Sequence, residues 1–149
     1  MAISSAICSS FKQELLQGKH SLDTSGNGGD TFKLAMYTSS ASLDATTTAY
    51  ATGNEISGSG YSAGGATLTN TGVGLNSTTA FTDFSDISFT SASFTANGCL
   101  IYNTTTAGGS GTTNAVCVIA FGGDKTVSSG TFTIQFPNND SSSDIIRLT

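Results

Sequence analysis

The chain has 149 residues, a formal net charge of −5 and only 10% charged side chains, with 18 Gly, no Trp and one His. Soluble domains carry about 25% charge, so the residues that usually do chemistry are thinned out, and Ser plus Thr make up about a third of the chain. The five basic residues, Lys12, Lys19, Lys33, Lys125 and Arg147, stand singly. That spacing excludes a patch able to neutralise a run of phosphates, and no stretch approaches the roughly 20 apolar residues of a membrane span. Neither nucleic acid nor a membrane is expected as a partner.

One domain over residues 1–149 is expected from the length. The chain starts Met1-Ala-Ile-Ser-Ser-Ala-Ile-Cys-Ser-Ser10, without the basic and long apolar regions of a secretory signal, so synthesis without export is the expectation. Three cysteines, Cys8, Cys99 and Cys117, are an odd number, and two lie in hydrophobic runs. Buried free thiols in a reducing compartment are expected.

The first element is a short helix. Ser10-Phe-Lys-Gln13 has the spacing of a capping box, Phe11 and Leu15 lie four apart, and Gly18 stands where a terminating glycine belongs. Two turns are too short to be stable alone in water. The apolar stripe of Phe11, Leu15 and Leu16, preceded by Ile3 and Ile7, must therefore pack on its own sheet or on a neighbour. Residues 1–18 are thus a candidate assembly arm.

After a Gly/Asn/Asp loop at residues 21–30 the pattern changes to period two. Phe32, Leu34 and Met36 point to one face. Residues 39–65 hold few apolar side chains and read as a long excursion with a short strand or two. A weaker, glycine-interrupted strand follows at 67–75, where the glycines mark bulges or close backbone approach. Further strands are expected at 80–84, 87–89 and 99–102. Residues 115–121, apolar on both faces, read as a covered central strand, and residues 104–114 as a Gly/Thr loop at a tip or contact edge. Residues 131–136 place Phe132, Ile134 and Phe136 inward, and 144–148 form a last strand. About eight strands without a βαβ rhythm predict an all-β, antiparallel β-sandwich, jelly-roll-like or related, with one short N-terminal helix.

The chemical motifs are weak. Gly60-Tyr-Ser-Ala-Gly64 spells a nucleophile elbow around Ser62, but that device needs a strand-to-helix turn and a downstream base. The one histidine, His20, lies upstream and reads as a surface residue. Asp23-Thr-Ser-Gly-Asn-Gly28 resembles the start of a calcium loop, whose closing Glu would fall at Leu34. Asp83 and Asp86, close in sequence, read as turn formers. No catalytic, cofactor or metal site is expected.

Four stretches together carry a family resemblance: Phe32-Lys-Leu-Ala-Met-Tyr-Thr-Ser-Ser, Leu43-Asp-Ala-Thr-Thr-Thr-Ala-Tyr50, Asn54-Glu-Ile-Ser-Gly-Ser-Gly-Tyr-Ser-Ala-Gly-Gly65, and Asp124-Lys-Thr-Val-Ser-Ser-Gly-Thr-Phe-Thr-Ile-Gln-Phe-Pro137. With Ser-Phe-Lys-Gln-Glu-Leu-Leu at residues 10–16, this set resembles small Ser/Thr/Gly-rich structural proteins of tailed bacteriophages. The resemblance implies a virion component synthesised in the host cytoplasm, with a capsid decoration (cement) protein first and a tail, neck or fibre-associated binding module as the alternative. The partners implied are the major capsid protein or other virion proteins, and a homo-oligomer, a trimer in preference.

Overall fold

Two long strands carry the fold in the computed structural model, which describes residues 2–24, 27–105 and 112–149. The elements in chain order are β1 (Ala6–Ile7), α1 (Ser9–Leu16), β2 (Phe32–Tyr37), β3 (Ala66–Thr67), β4 (Asn70–Asn76), β5 (Thr79–Phe84), β6 (Ile87–Asn103), β7 (Asn114–Ile134) and β8 (Ile146–Leu148). They form an all-β sandwich of a five-stranded sheet, β1-β7-β6-β2-β3, and a three-stranded sheet, β4-β5-β8. Every strand pairing is antiparallel.

The runs expected as four separate strands at 87–89, 99–102, 115–121 and 131–136 fuse into the β6–β7 hairpin. It is paired from Ile87↔Ile134 to Asn103↔Asn114, with register shifts that include the step from Ala96 to Gly98. The Ser/Thr-rich middles that looked like breaks remain in the ladder, because paired backbone is indifferent to side-chain polarity when one face meets water. Ser88 with Thr133 and Thr95 with Thr126 pair hydroxyls across that face at 2.8 Å. The covered part of β7 is Ala115, Val116, Cys117 and Val118, all buried. Of the loop expected at 104–114, residues 106–111 lie outside the described residues.

The run at 67–75 divides between the sheets. Ala66 and Thr67 pair with β2, whereas β4 pairs with β5 and shifts register between Asn70 and Val73, around Gly72. In the excursion, residues 39–65, the expected strands are replaced by isolated bridges, Ile3↔Leu43, Tyr37↔Glu55, Ala49↔Asn114 and Ser59↔Ser93. It lies against the large sheet through buried Ala41 and Ile56. Gly65 closes it at φ +75°, with the Leu34 carbonyl oxygen 1.8 Å from where a Cβ would stand, so only glycine fits this approach.

All four tyrosines fasten the excursion around Glu55. Its Oε2 accepts from the Tyr50 hydroxyl at 2.7 Å, and its Oε1 accepts from the Tyr61 hydroxyl at 2.6 Å and the Gly64 N–H at 2.7 Å. The Tyr61 oxygen in turn accepts the Met36 N–H. Tyr102 stacks on Tyr50 at 4.6 Å and donates to the Gly64 carbonyl, and Tyr37 donates to the Ala51 carbonyl. Burial, then the bond to Glu55, hold the Tyr50 and Tyr61 hydroxyls protonated far above their ordinary range.

Helix α1 starts earlier than the sequence pattern implies. Its N-cap is Cys8, with no side-chain cap, so the Ser10/Gln13 capping box does not form and the Ser10 hydroxyl is buried without a partner. The reason is tertiary: β1 stays extended against Val118 and Cys117 through Ile7, and the helix begins directly after it. The C-terminal reading holds. Gly18 has φ +71°, its N–H reaches the Leu15 carbonyl, and the Lys19 N–H reaches the Glu14 carbonyl, a Schellman closure.

His20 is not a surface residue; it is 7% exposed beneath α1. Its Nδ1 accepts from Asn103 Nδ2 at 2.9 Å, so Nε2–H donates to Glu14 Oε2 at 2.6 Å. Asn103 donates its other hydrogen to Asp30 Oδ2 and accepts the Thr105 N–H. Glu14 also accepts from Asn114. The helix, the following loop and the β6–β7 end are thereby joined by buried polar groups that satisfy one another, as burial requires.

Cys8, Cys99 and Cys117 are buried and unpaired. Burial raises the Cys8 thiol to about 11 and the Cys99 thiol to about 12, and pushes Cys117 well above the ordinary value. Because the thiolate is the reactive form, a disulfide-exchange reagent at pH 8 should label none of the three within minutes, and all three once urea unfolds the chain. Fast labelling of Cys99 and Cys117 in the native protein would contradict this packing.

Candidate interaction face

Among the described residues, the four large hydrophobics most exposed to water are Leu16 (92%), Leu75 (73%), Leu148 (57%) and Val73 (56%). They gather around one side of the molecule, where α1 meets the small sheet. On that sheet Val73 stands opposite Thr82 and Leu75 opposite Ala80, while Ala80 stands opposite Leu148 and Thr82 opposite Ile146. Alternation along each strand therefore puts Val73, Leu75, Ala80, Leu148 and Ile146 on a common face. An ordinary surface scatters such residues singly; a contiguous set marks a contact site.

Two adjoining depressions define the face. The first, of about 340 Å³, runs between Leu15, His20 and Leu22 on one side and Val73, Ala80 and Thr82 on the other. The second, of about 290 Å³, lies between α1, through Ile7, Phe11, Lys12, Leu15 and Leu16, and β8, through Ile146, Arg147 and Leu148. Leu15, Ile146 and Leu148 line both.

The residues singled out from the N-terminal sequence divide here. Phe11 is buried, Ile3, Ile7 and Leu15 are half-buried against the protein's own core, and Leu16 points into water. Residues 2–8 are bound along the large sheet: the Cys8 N–H reaches the Val116 carbonyl, and Ser5 Oγ accepts the Ala120 N–H. The stripe thus packs mainly on its own sheet while its end forms one wall of the open groove. Val73, Leu75, Arg147 and Leu148 were not singled out from sequence. Their signal, apolar residues at i and i+2 in two short strands, was present, but it does not say which face is covered.

The electrostatics of the α1–β8 groove are unlike those of the whole chain. Lys12 and Arg147, two of five cations in a chain of net −5, line it, and no carboxylate does. The acids nearest in sequence lie outside its lining. Glu14 is held by His20 and Asn114, and Asp144 is buried with Oδ1 accepting the Asp140 N–H.

The other motifs find no reactive arrangement. Ser62 is exposed in a turn, and its carbonyl accepts the Gly65 N–H. Asp23 Oδ1 accepts the Thr24 N–H, and among the described residues no three His, Cys, Asp or Glu side chains are grouped to hold a metal. Asp86 accepts the N–H of Phe136, 50 residues away, a long-range bond rather than the local one of a turn former. Asp83 differs: it is 1% exposed, Oδ1 accepts the Phe84 N–H, and Oδ2 is buried without a partner.

Desolvation, then the charges of Asp144 and Asp86, raise the Asp83 carboxyl to about 6. A carboxyl raised in the folded state binds its proton more tightly there than in the unfolded chain. Its contribution is full below about pH 4 and is lost as pH rises through 6, on the order of 3 kcal/mol in all. Urea unfolding at pH 4.5 and 7.5 should therefore show Asp83→Asn gaining on the wild type at the higher pH. An identical pH dependence in the two proteins would count against a buried, strained carboxylate.

No protein-family model matches the chain, and no curated protein or solved structure matches it.

Proposed function

We propose that this protein is a virion structural component of a tailed bacteriophage, acting as a capsid decoration protein that stabilises the head by protein–protein contact. The observation that carries the reading is the apolar face of Leu16, Val73, Leu75 and Leu148, the large hydrophobics most exposed among the described residues, on a hydroxyl-rich sandwich. It joins the ordered motif set that resembles phage structural proteins. A subunit that works by docking needs one adhesive side and a surface inert elsewhere. An acidic balance keeps free copies apart in solution, and repetition on a symmetric lattice multiplies a small contact. The major capsid protein is the partner this reading implies, with copies associating as a homo-oligomer on the lattice.

Quantitative mass spectrometry of purified particles of the encoding phage tests the reading. Hundreds of copies per particle are expected. A dozen or fewer would place the protein in the neck, tail or a fibre, and absence from the particle would overturn a structural role.

A further inference from the structure

We propose that the α1–β8 groove receives an extended, apolar segment of a partner protein, flanked by carboxylates, which adds as a strand to the free edge of β8. The proposal rests on the reading of the protein as a docking component and names what docks.

The geometry specifies an edge. Consecutive residues of a strand point to opposite faces, so a groove lined by Ile146, Arg147 and Leu148 together runs along the side of β8 rather than over one face. β8 is an outer strand of the order β4-β5-β8. Among the described residues, its backbone makes no hydrogen bond besides those of the β5 ladder. An added strand would satisfy that edge, giving affinity through the main chain and specificity through alternate side chains. Facing it across the groove, Phe11, Leu15 and Leu16 supply an apolar wall for those side chains.

Charge chooses the occupant. Lys12 and Arg147 flank the groove with no carboxylate in its lining; Arg147 donates to the Ser142 carbonyl, and among the described residues Lys12 makes no ion pair. Two copies joined face to face about a two-fold axis would bring like patches together and set these cations against themselves. A segment with Glu or Asp beside its apolar residues is complementary instead.

The test uses the full chain and two fluorescein-labelled peptides, Glu-Glu-Val-Thr-Ile-Thr-Leu-Glu and the same sequence with Lys at each Glu. Binding is read by fluorescence anisotropy and by NMR shifts of the Ile146, Arg147 and Leu148 amides. The acidic peptide should bind at least tenfold more tightly than the basic one and should move those amides. Lys12→Glu should remove most of that preference. Leu16→Glu, at a site already in water, should weaken the acidic peptide about tenfold. Equal binding of the two peptides, no binding, or shifts confined to other strands would overturn the proposal. Self-association that Leu16→Glu abolishes would put a second copy in the groove and overturn it equally. Failure of the peptide leaves the copy number per particle untouched, so the two readings fail separately.

Discussion

Replacing Glu55 with Ala should lower stability by about 3 kcal/mol, a fall in Tm of about 10 °C for a chain of this size. The carboxylate accepts three short bonds, from Tyr50, Tyr61 and the Gly64 amide. Bonds to a charged acceptor are worth about 1.5–3 kcal/mol each, though such losses do not add in full. Removing it orphans groups that are shielded from water, and the cost of an unsatisfied partner exceeds the value of the bond. The Met36 N–H also depends on the arrangement, since Tyr61 accepts it. Damage should therefore spread from the excursion into β2. Hydrogen exchange should quicken at Gly64 and Met36 before it changes in the covered part of β7. Glu55→Gln keeps the shape and one acceptor oxygen, and should lose roughly half as much. A Glu55→Ala protein with an unchanged urea midpoint would show that the excursion is held by packing alone.

Deleting residues 2–8 should cost on the order of 5 kcal/mol, a large share of the 5–15 kcal/mol available to a domain. The segment is strand β1 together with the turn that starts the helix. Ile7 stands opposite Cys117 and Ala6 opposite Val118, while the Leu43 carbonyl accepts the Ser4 N–H and the Leu43 N–H donates to the Ala2 carbonyl, which fixes the excursion's first bend. Ile3 packs within 2.8 Å of the place a Cβ on Gly98 would take, where the bulge in β6 leaves room. Burying each Ile contributes about 1.5–3 kcal/mol when complete, and these two are half-buried. Circular dichroism and thermal unfolding of the truncated chain measure the loss. A truncated protein that melts within a few degrees of the full chain would make the segment a detachable arm, with its role confined to assembly.

The groove and the Glu55 cluster have different physical characters, and this separates their roles. Around Glu55 the donors and acceptors satisfy each other, so the cluster stabilises the fold. Along β8 an apolar wall, an open edge and Lys12 face water, while Arg147 is tied to the Ser142 carbonyl, so that is the side we propose a partner covers.

Local sequence determined the elements whose cause is local. Alternation placed Phe132, Ile134 and Phe136 on the inward side of β7 and just beyond it, with Thr131, Thr133 and Gln135 exposed. Gly18 ended the helix because the left-handed backbone there favours glycine. The three buried thiols and the all-β class were also legible, since hydrophobic runs of period two leave few other solutions.

Tertiary pairing decided the rest. Whether 87–89 and 99–102 are separate strands depends on a partner strand long enough to hold the polar residues between them, and β7 supplies it. Helix α1 begins at Ser9 because β1 is held on β7 until Ile7, a constraint no capping pattern contains. His20 is buried because Asn103, 83 residues away, offers the hydrogen its ring nitrogen needs. The exposed apolar face was equally invisible. Val73, Leu75 and Leu148 have the same pattern as covered residues, and only the tertiary packing leaves them open.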